Sequence, residues 1–262
     1  MDNEPLLRLT VFAGVFALMA GWELLGPARR LAASKPRRWL TNWAIALLDT
    51  AVVRLLFPAA AVGAALDASA QGWGLLNVLD APWIVAVLVS ILVLDFLIWA
   101  QHWATHQIPF LWRLHRVHHV DRDVDVTTAI RFHPIEIALS MLLKIGAVYA
   151  LGAPALAVIL FEVILNGCAM FNHANIRLPD RVEKPLRRLL ITPDLHRIHH
   201  STVRADHDMN YGFSVSWWDR LFGTYADAPR DGEAALTLGL PDHQDEAPTR
   251  LGWSLVYPFA RR

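Results

Sequence analysis

Long apolar runs broken by short polar segments fill the first two thirds of the chain. Residues 6–26, LLRLTVFAGVFALMAGWELLG, form the first. At 1.5 Å per residue, about 20 apolar residues cross a ~30 Å hydrocarbon core, so this run predicts a membrane helix. A cleaved secretory signal needs a basic start and a small-residue cleavage site; here the run is preceded by Asp2 and Glu4 and ends at Trp22 and Glu23. Arg29, Arg30, Lys35, Arg37 and Arg38 follow with no acid among them, which puts this loop on the cytoplasmic side. Residues 43–66 return outward, with Asp49 and Arg54 predicting a face turned toward protein. The loop 67–81 has no Lys or Arg and reads as the outer side, and residues 82–99 bring the chain back in.

Residues 135–171 are split by Gly152, Ala153 and Pro154 into two apolar arms, the pattern of a helical hairpin that enters and leaves on one side. Lys144 and Glu162 lie nine residues either side of Ala153, so an antiparallel hairpin sets them at one depth. An isolated charge in the membrane is costly, and the two are expected to pair within ~8 Å, about twice the ion-pair limit. The fold class is therefore an all-α integral membrane protein, with about three membrane-spanning helices plus a helical hairpin, capped by a cytoplasmic helical domain. Residues 226–250, rich in Asp, Glu, Gly and Pro, read as a mobile surface tail.

Composition agrees with a membrane chain and narrows its chemistry. Of 262 residues, 55% are hydrophobic and 18% charged, against about 25% charged in soluble domains; mean hydropathy is +0.32. Basic and acidic residues balance at 24 each, and half of each lie beyond residue 175. That balance argues against nucleic acid as a partner, because phosphate binding needs a basic surplus on one face. The single cysteine, Cys168, excludes a disulfide framework, a cysteine zinc ribbon and a thiolate-held iron–sulfur cluster within one chain.

Twelve histidines remain, and in this topology all but His243 fall near the cytoplasmic face or in cytoplasmic segments. Eight form three clusters: His102 and His106; His115, His118 and His119; His196, His199 and His200. Residues at i, i+3 and i+4 share one helix face, so each cluster aims its imidazoles one way. Pro109 starts a new short helix after the membrane helix. Thr192, Pro193 and Asp194 open the third cluster as an N-cap hydroxyl, a first-turn proline and an acid at the positive helix end. A lone histidine is more often a satisfied core or surface residue than a ligand. Eight clustered imidazoles without partners, however, would leave donors and acceptors unsatisfied at ~1–3 kcal/mol each, and metal binding removes that cost. A four-coordinate zinc would use half of these nitrogens, whereas two octahedral-tending ions would use nearly all. Haem, with one axial imidazole per helix, fits poorly. Imidazole alone suits Zn, Cu, Fe or Ni, so spacing leaves the metal open.

At these residues the chain resembles the membrane-bound fatty acid hydroxylase and sterol desaturase superfamily, whose members carry HxxxH, HxxHH and a second HxxHH in this order around two non-haem irons. The resemblance covers residues 95–225, about half the chain. It extends to RFHPIE at 131–136, NHAN at 172–175 and DMNYGFSVSWWDRLFGTY at 208–225. Trp103 departs from the pattern, where many members have Arg, at a position pointing away from the histidine face. The resemblance implies two Fe ions, with Zn able to replace them in purified material. It makes His102, His106, His115, His118, His119, His196, His199 and His200 ligands, and His173 the ninth. His133 fits a family position either as a helix cap or as a hydrogen-bond partner behind a ligand. His207 reads equally well as a surface residue and His243 lies in the tail, so these three stay outside the ligand set. The chain then divides into N-terminal membrane helices (1–81), a catalytic domain similar to the superfamily (82–225) and a C-terminal tail (226–262).

Helix geometry adds supporting groups. Asp95, Trp99, His102 and His106 fall on one face, so Asp95 is placed to accept the outer N–H of a ligating histidine and fix its tautomer, or else to form a helix–helix salt bridge. Glu162 and Asn166 share a face with His173 in the same way. Asp208 and Asn210 follow the last cluster closely enough to touch a water at the metals. Asp95 and Asn210 are accordingly the candidate catalytic residues, while Gly212 and Gly223 read as turn residues.

The expected activity is that of a membrane di-iron oxygenase, which hydroxylates or desaturates a C–H bond of a sterol, fatty acyl chain or related lipid using O2 and external electrons. A site at the membrane face lets an apolar chain reach the metals from the bilayer. With no nucleotide-binding glycine fingerprint, electrons are expected from a separate donor, cytochrome b5-like or a ferredoxin with its reductase. Arg113, Arg116, Arg187, Arg188, Arg197 and Arg204 offer a basic face for such a donor, or simply a positive-inside surface. The rival class is a non-redox membrane metal-binding protein or metal transporter, which would hold polar ligands near the bilayer midplane between broken helices; here they cluster after the helices end. Zinc hydrolysis, with three ligands and an open water, leaves too many histidines idle. Of the 24 basic residues 21 are Arg, and Ala is abundant, a GC-rich bacterial bias that predicts the inner membrane.

Overall fold

The computed structural model describes residues 4–260; Asp2 lies outside them. Among the described residues every named element is helical, and extended pairing is limited to two isolated bridges, Leu190 with Val215 and Ser201 with Leu238. Five segments are long and apolar enough to cross a membrane: Pro5–Leu25, Lys35–Val78, Trp83–Gln107, Pro134–Leu151 and Ala155–His173. Their outward faces carry exposed leucines such as Leu18, Leu47, Leu88 and Leu142, which suits contact with lipid tails. The chain is an all-helical integral membrane protein.

Helix α1 (Glu4–Leu25) matches the first apolar run. Helix α2 (Lys35–Leu56) starts earlier than the run 43–66 and stops inside it, with Phe57 at φ −133°, ψ 68°. Pro58 is the cause: it has no N–H to donate and forces the residue before it out of the helical region. The expected single span is therefore two helices, and α3 (Ala60–Gln71) turns its stripe Ala61, Ala64, Ala65 and Ala68 inward. After α4 (Leu75–Val78), α5 (Trp83–Gln107) returns the chain and α6 (Pro109–His119) breaks from it at Ile108, whose extended backbone (φ −96°, ψ 115°) precedes Pro109.

The hairpin forms as α7 (Pro134–Leu151) and α8 (Ala155–His173). Gly152 turns between them at φ +71°, and a Cβ there would meet Asn77 Nδ2 and Trp73 O at 2.7 Å. Both the sign of φ and the close approach of the α4 region require glycine. Lys144 Nζ donates to Glu162 Oε1 at 2.8 Å, as the hairpin register predicts. Arg8 of α1 binds the other oxygen of Glu162, so this carboxylate ties three helices together and does not serve His173.

Short helices α9 (Asp180–Leu186), α10 (Pro193–His199), α11 (Arg204–His207), α12 (Trp217–Phe222) and α13 (Leu251–Val256) build a cap. The ends of the long helices are pinned to it. Glu23 Oε1, at the end of α1, accepts from the backbone N–H of Val126 (2.7 Å) and Asn175 (2.8 Å). Residues 226–250 do not hang free as a tail. Leu236 and Leu238 are buried with Val124, and Thr41 Oγ1 donates to Thr249 O at 2.6 Å. Buried Arg131 donates to Pro248 O at 3.0 Å and Ser254 Oγ at 2.8 Å. The polar composition of this strap conceals a few inward anchors, enough to hold it down.

Candidate metal centre

Each histidine cluster occupies a place where a membrane helix meets the cap. His102 and His106 lie on the last two turns of α5, and His173 is the last residue of α8. The break at Pro109 turns α6 so that His115, His118 and His119 are all buried. On α10, Thr192 Oγ1 accepts from Leu195 N at 3.5 Å, a long N-cap, with Pro193 in the first turn.

All nine histidines singled out as ligands come together. They fall into two groups, His102, His106, His115, His119 and His199, and His118, His173, His196 and His200. Within each group the candidate ligand atoms lie within 4.8 Å of one another. His102 Nε2 stands 3.0 Å from His115 Nε2 and 3.1 Å from His199 Nε2. His173 Nε2 stands 3.1 Å from His118 Nε2 and 3.0 Å from His196 Nε2. Two imidazole nitrogens each ~2.1 Å from one ion and at right angles would be ~3.0 Å apart. His106 Nε2, His196 Nδ1 and both nitrogens of His119 and His200 are buried without a hydrogen-bond partner. Orphaned atoms of this kind cost ~1–3 kcal/mol each, and a metal ion would take the one lone pair that each neutral ring offers. The residues present thus fit a pair of metal ions, and an all-imidazole set is a transition-metal donor set.

Five of the nine rings have an outer nitrogen held as ligand histidines require. Nδ1 of His102 donates to Tyr211 O (2.6 Å), of His118 to Arg131 O (3.2 Å), of His173 to Ala169 O (2.7 Å) and of His199 to Met209 O (2.8 Å). His115 Nδ1 donates to Glu136 Oε1 at 2.6 Å. A proton fixed on Nδ1 leaves the Nε2 lone pair facing inward. Replacing Glu136 by alanine should lower metal affinity ~10–100-fold in a metal titration of the purified protein; unchanged affinity would show that Glu136 does not orient His115.

Burial pulls the His115 imidazolium down to about 3. Burial first, and neighbouring imidazoles next, hold His118, His119, His196, His199 and His200 well below the ordinary range. The rings are neutral, the form that binds metal. In metal-free protein the unfolded chain, with imidazoles near 6.5, takes up protons before the folded one does. Stability should therefore be fully present above about pH 6.5 and fall as the pH drops below it. Thermal unfolding of chelator-treated protein from about pH 7 to about pH 5 should show a declining midpoint, and a flat profile would contradict the buried neutral rings.

The hydrogen bonds of Asp95 and Asn210 go to groups other than the histidines. Asp95 Oδ2 accepts from Trp218 Nε1 at 2.8 Å and locks α12 onto α5. It precedes His102 by seven residues, ~10 Å along the helix, so a shared face does not bring the two side chains together. Asn210, at φ +57°, gives its Nδ2 to Leu195 O (3.0 Å) and Ala226 O (2.8 Å), and its Oδ1 accepts from Ala226 N (2.9 Å). It shapes the turn whose neighbouring carbonyls, Met209 O and Tyr211 O, hold His199 and His102.

Asp219 completes that turn. Its Oδ1 accepts from Trp99 Nε1 (3.0 Å), Tyr211 N (2.9 Å) and Thr224 Oγ1 (2.7 Å), and its Oδ2 accepts from Gly212 N (2.8 Å). Neither Glu136 nor Asp219 is singled out by spacing, although Glu136 sits in the first turn that Pro134 opens, close to the second cluster. His133 caps α7: its Nδ1 accepts from Ile135 N and its Nε2 donates to Leu255 O, both at 3.2 Å. Two of the six arginines offered as a docking face turn inward. Arg116 is buried and donates to Tyr257 O at 2.5 Å, and Arg197 is buried and bound to Asp194 and Ile176 O.

The sequence model of the fatty acid hydroxylase family matches residues 87–224. The ornithine lipid hydroxylase OlsE of Rhizobium tropici is 32% identical over 157 residues, covering 60% of this chain and 46% of that protein. The alkylglycerol monooxygenase of Xenopus tropicalis is 27% identical over 151 residues, 56% of this chain and 31% of that one. The very-long-chain aldehyde decarbonylase GL1-6 of Oryza sativa subsp. indica is 26% identical over 159 residues, 55% and 24% respectively. The matched part spans less than half the length of each of these relatives. No solved structure matches the chain significantly.

Proposed function

Because the chain belongs to the fatty acid hydroxylase family, we propose that it is a membrane di-iron oxygenase that hydroxylates or desaturates a C–H bond of a membrane lipid. The observation that carries this reading is the pair of buried histidine groups where the membrane helices end. Relatives named as hydroxylating ornithine lipid or as alkylglycerol monooxygenases support a lipid as substrate.

The nine histidines hold the metals. Bound there, two irons supply the redox chemistry by which a C–H bond, O2, two electrons and two protons give an alcohol and one water, or, in desaturation, a double bond and two waters. The protein orients and dries the site. Glu136 and the carbonyls of Ala169, Arg131, Met209 and Tyr211 fix the rings, while Phe132 lies flat on His118 at 4.4 Å and Phe213 packs on His102 at 4.8 Å. These apolar rings keep water from the nitrogens. Electrons come from a separate cytochrome b5-like or ferredoxin donor. The basic loop between α1 and α2 supports a centre on the cytoplasmic side, and the arginine- and alanine-rich composition supports a bacterial inner membrane.

Anaerobic purification after iron-supplied expression should give two irons per chain. Lipid extracts of cells with the gene should contain a species heavier by one oxygen or lighter by two hydrogens than its counterpart in cells without it. One metal or fewer per chain, no iron, or identical lipids would overturn the reading.

A further inference from the structure

We propose that His207 is a tenth metal-binding histidine, which joins the five-histidine group from the side of an open pocket; the inference rests on the dimetal reading above. His207 closes α11 and is only 2% exposed. Its Nε2 is buried without a hydrogen-bond partner, like Nε2 of His106 and both nitrogens of His119 beside it. The ring centroid lies 4.4 Å from that of His119 and 4.8 Å from that of His106, as close as neighbours inside the two groups. His207, His106 and Asp208 form a further set whose candidate ligand atoms lie within 4.8 Å of one another, sharing His106 with the five-histidine group. Packing on Trp112 at 4.8 Å explains the burial of the ring but provides no partner for the orphaned nitrogen.

Beyond His207 lies a pocket of about 510 Å³, lined also by Thr202, Arg204, Leu240, His243 and Trp253. His207 therefore forms the wall between this pocket and the histidines. His207 adds its donor beside His106, and it is the donor that can be exchanged from the pocket.

Cobalt(II) titration of detergent-purified protein, followed by visible absorption and by metal analysis, tests this. Wild type should bind two ions. His207→Gly should bind one of them at least ~10-fold more weakly, with stronger cobalt absorption as the coordination number falls. Free imidazole should enter through the pocket and restore wild-type binding and spectrum. His118→Gly should not be rescued, because its site is closed to solvent. If His207→Gly does not fold, judged by circular dichroism, His207→Gln carries the test on the same readouts without the rescue. Wild-type affinity and spectrum in the folded variant, or failure of imidazole to restore lost binding, would overturn the proposal. Fewer than two ions on wild type would overturn the dimetal reading itself, and the proposal with it.

Discussion

His118→Ala should empty the four-histidine group and abolish lipid oxidation. The His118 ring is fully buried, held from behind by Arg131 O, flat against Phe132, and 3.1 Å from His173 Nε2. Alanine removes one of the four nitrogens of this group and leaves a hole among the imidazoles. Losing only the partner behind a ligand weakens metal binding ~10–100-fold, and losing the ligand itself should exceed that. The measurement is iron per chain, together with the oxidised lipid, in His118→Ala and in Lys184→Ala, whose pair with Asp180 is exposed on both sides. Two irons and normal product in His118→Ala would contradict the ligand set.

Arg38→Met should destabilise the protein by about 3–5 kcal/mol, the usual result of breaking a buried ion pair from one side. Arg38, 1% exposed, donates to Asp121 Oδ1 (2.7 Å), Asp121 Oδ2 (2.8 Å) and Asp125 Oδ2 (2.8 Å), and also binds Asp123 O. Burial alone would raise the Asp121 carboxyl, but Arg38 overrides it and holds the group at about 2. Methionine fills the volume yet strands Asp121 and Asp125 inside the protein. Because Asp121 lies two residues past His119, the strain falls on the loop behind the second cluster. Arg38→Lys should recover only part of the loss, since an ammonium cannot span both oxygens as the guanidinium does. Unfolding in denaturant reads the difference, and a change below about 1 kcal/mol would contradict the pairing.

Much of this molecule is legible in its sequence because hydropathy and helical spacing are local properties. The five apolar segments and the Lys144–Glu162 pair follow from counting along one chain, and so does the gathering of eight histidines, whereas His173 is marked only by the resemblance of its NHAN motif to the family. What spacing leaves out depends on which helix packs against which. Asp95 shares a face with His102, yet its carboxylate is engaged by Trp218 of α12. Glu136 reaches His115 only because α7 crosses behind α6. Phe57 and Pro58 break an apolar run whose hydropathy continues through them. His207 has no histidine at i+3 or i+4, so nothing local distinguishes it from a surface residue until the fold buries it against His119.

The strap carries a consequence for how the centre is made. Arg131, whose carbonyl steadies His118, depends on Pro248 and Ser254 for two of its hydrogen bonds. Translation delivers residues in order, so all nine histidines are in place before these braces have been synthesised. A chain still short of residues 248–254 thus carries every one of these histidines but lacks two of the hydrogen bonds that hold Arg131 behind His118.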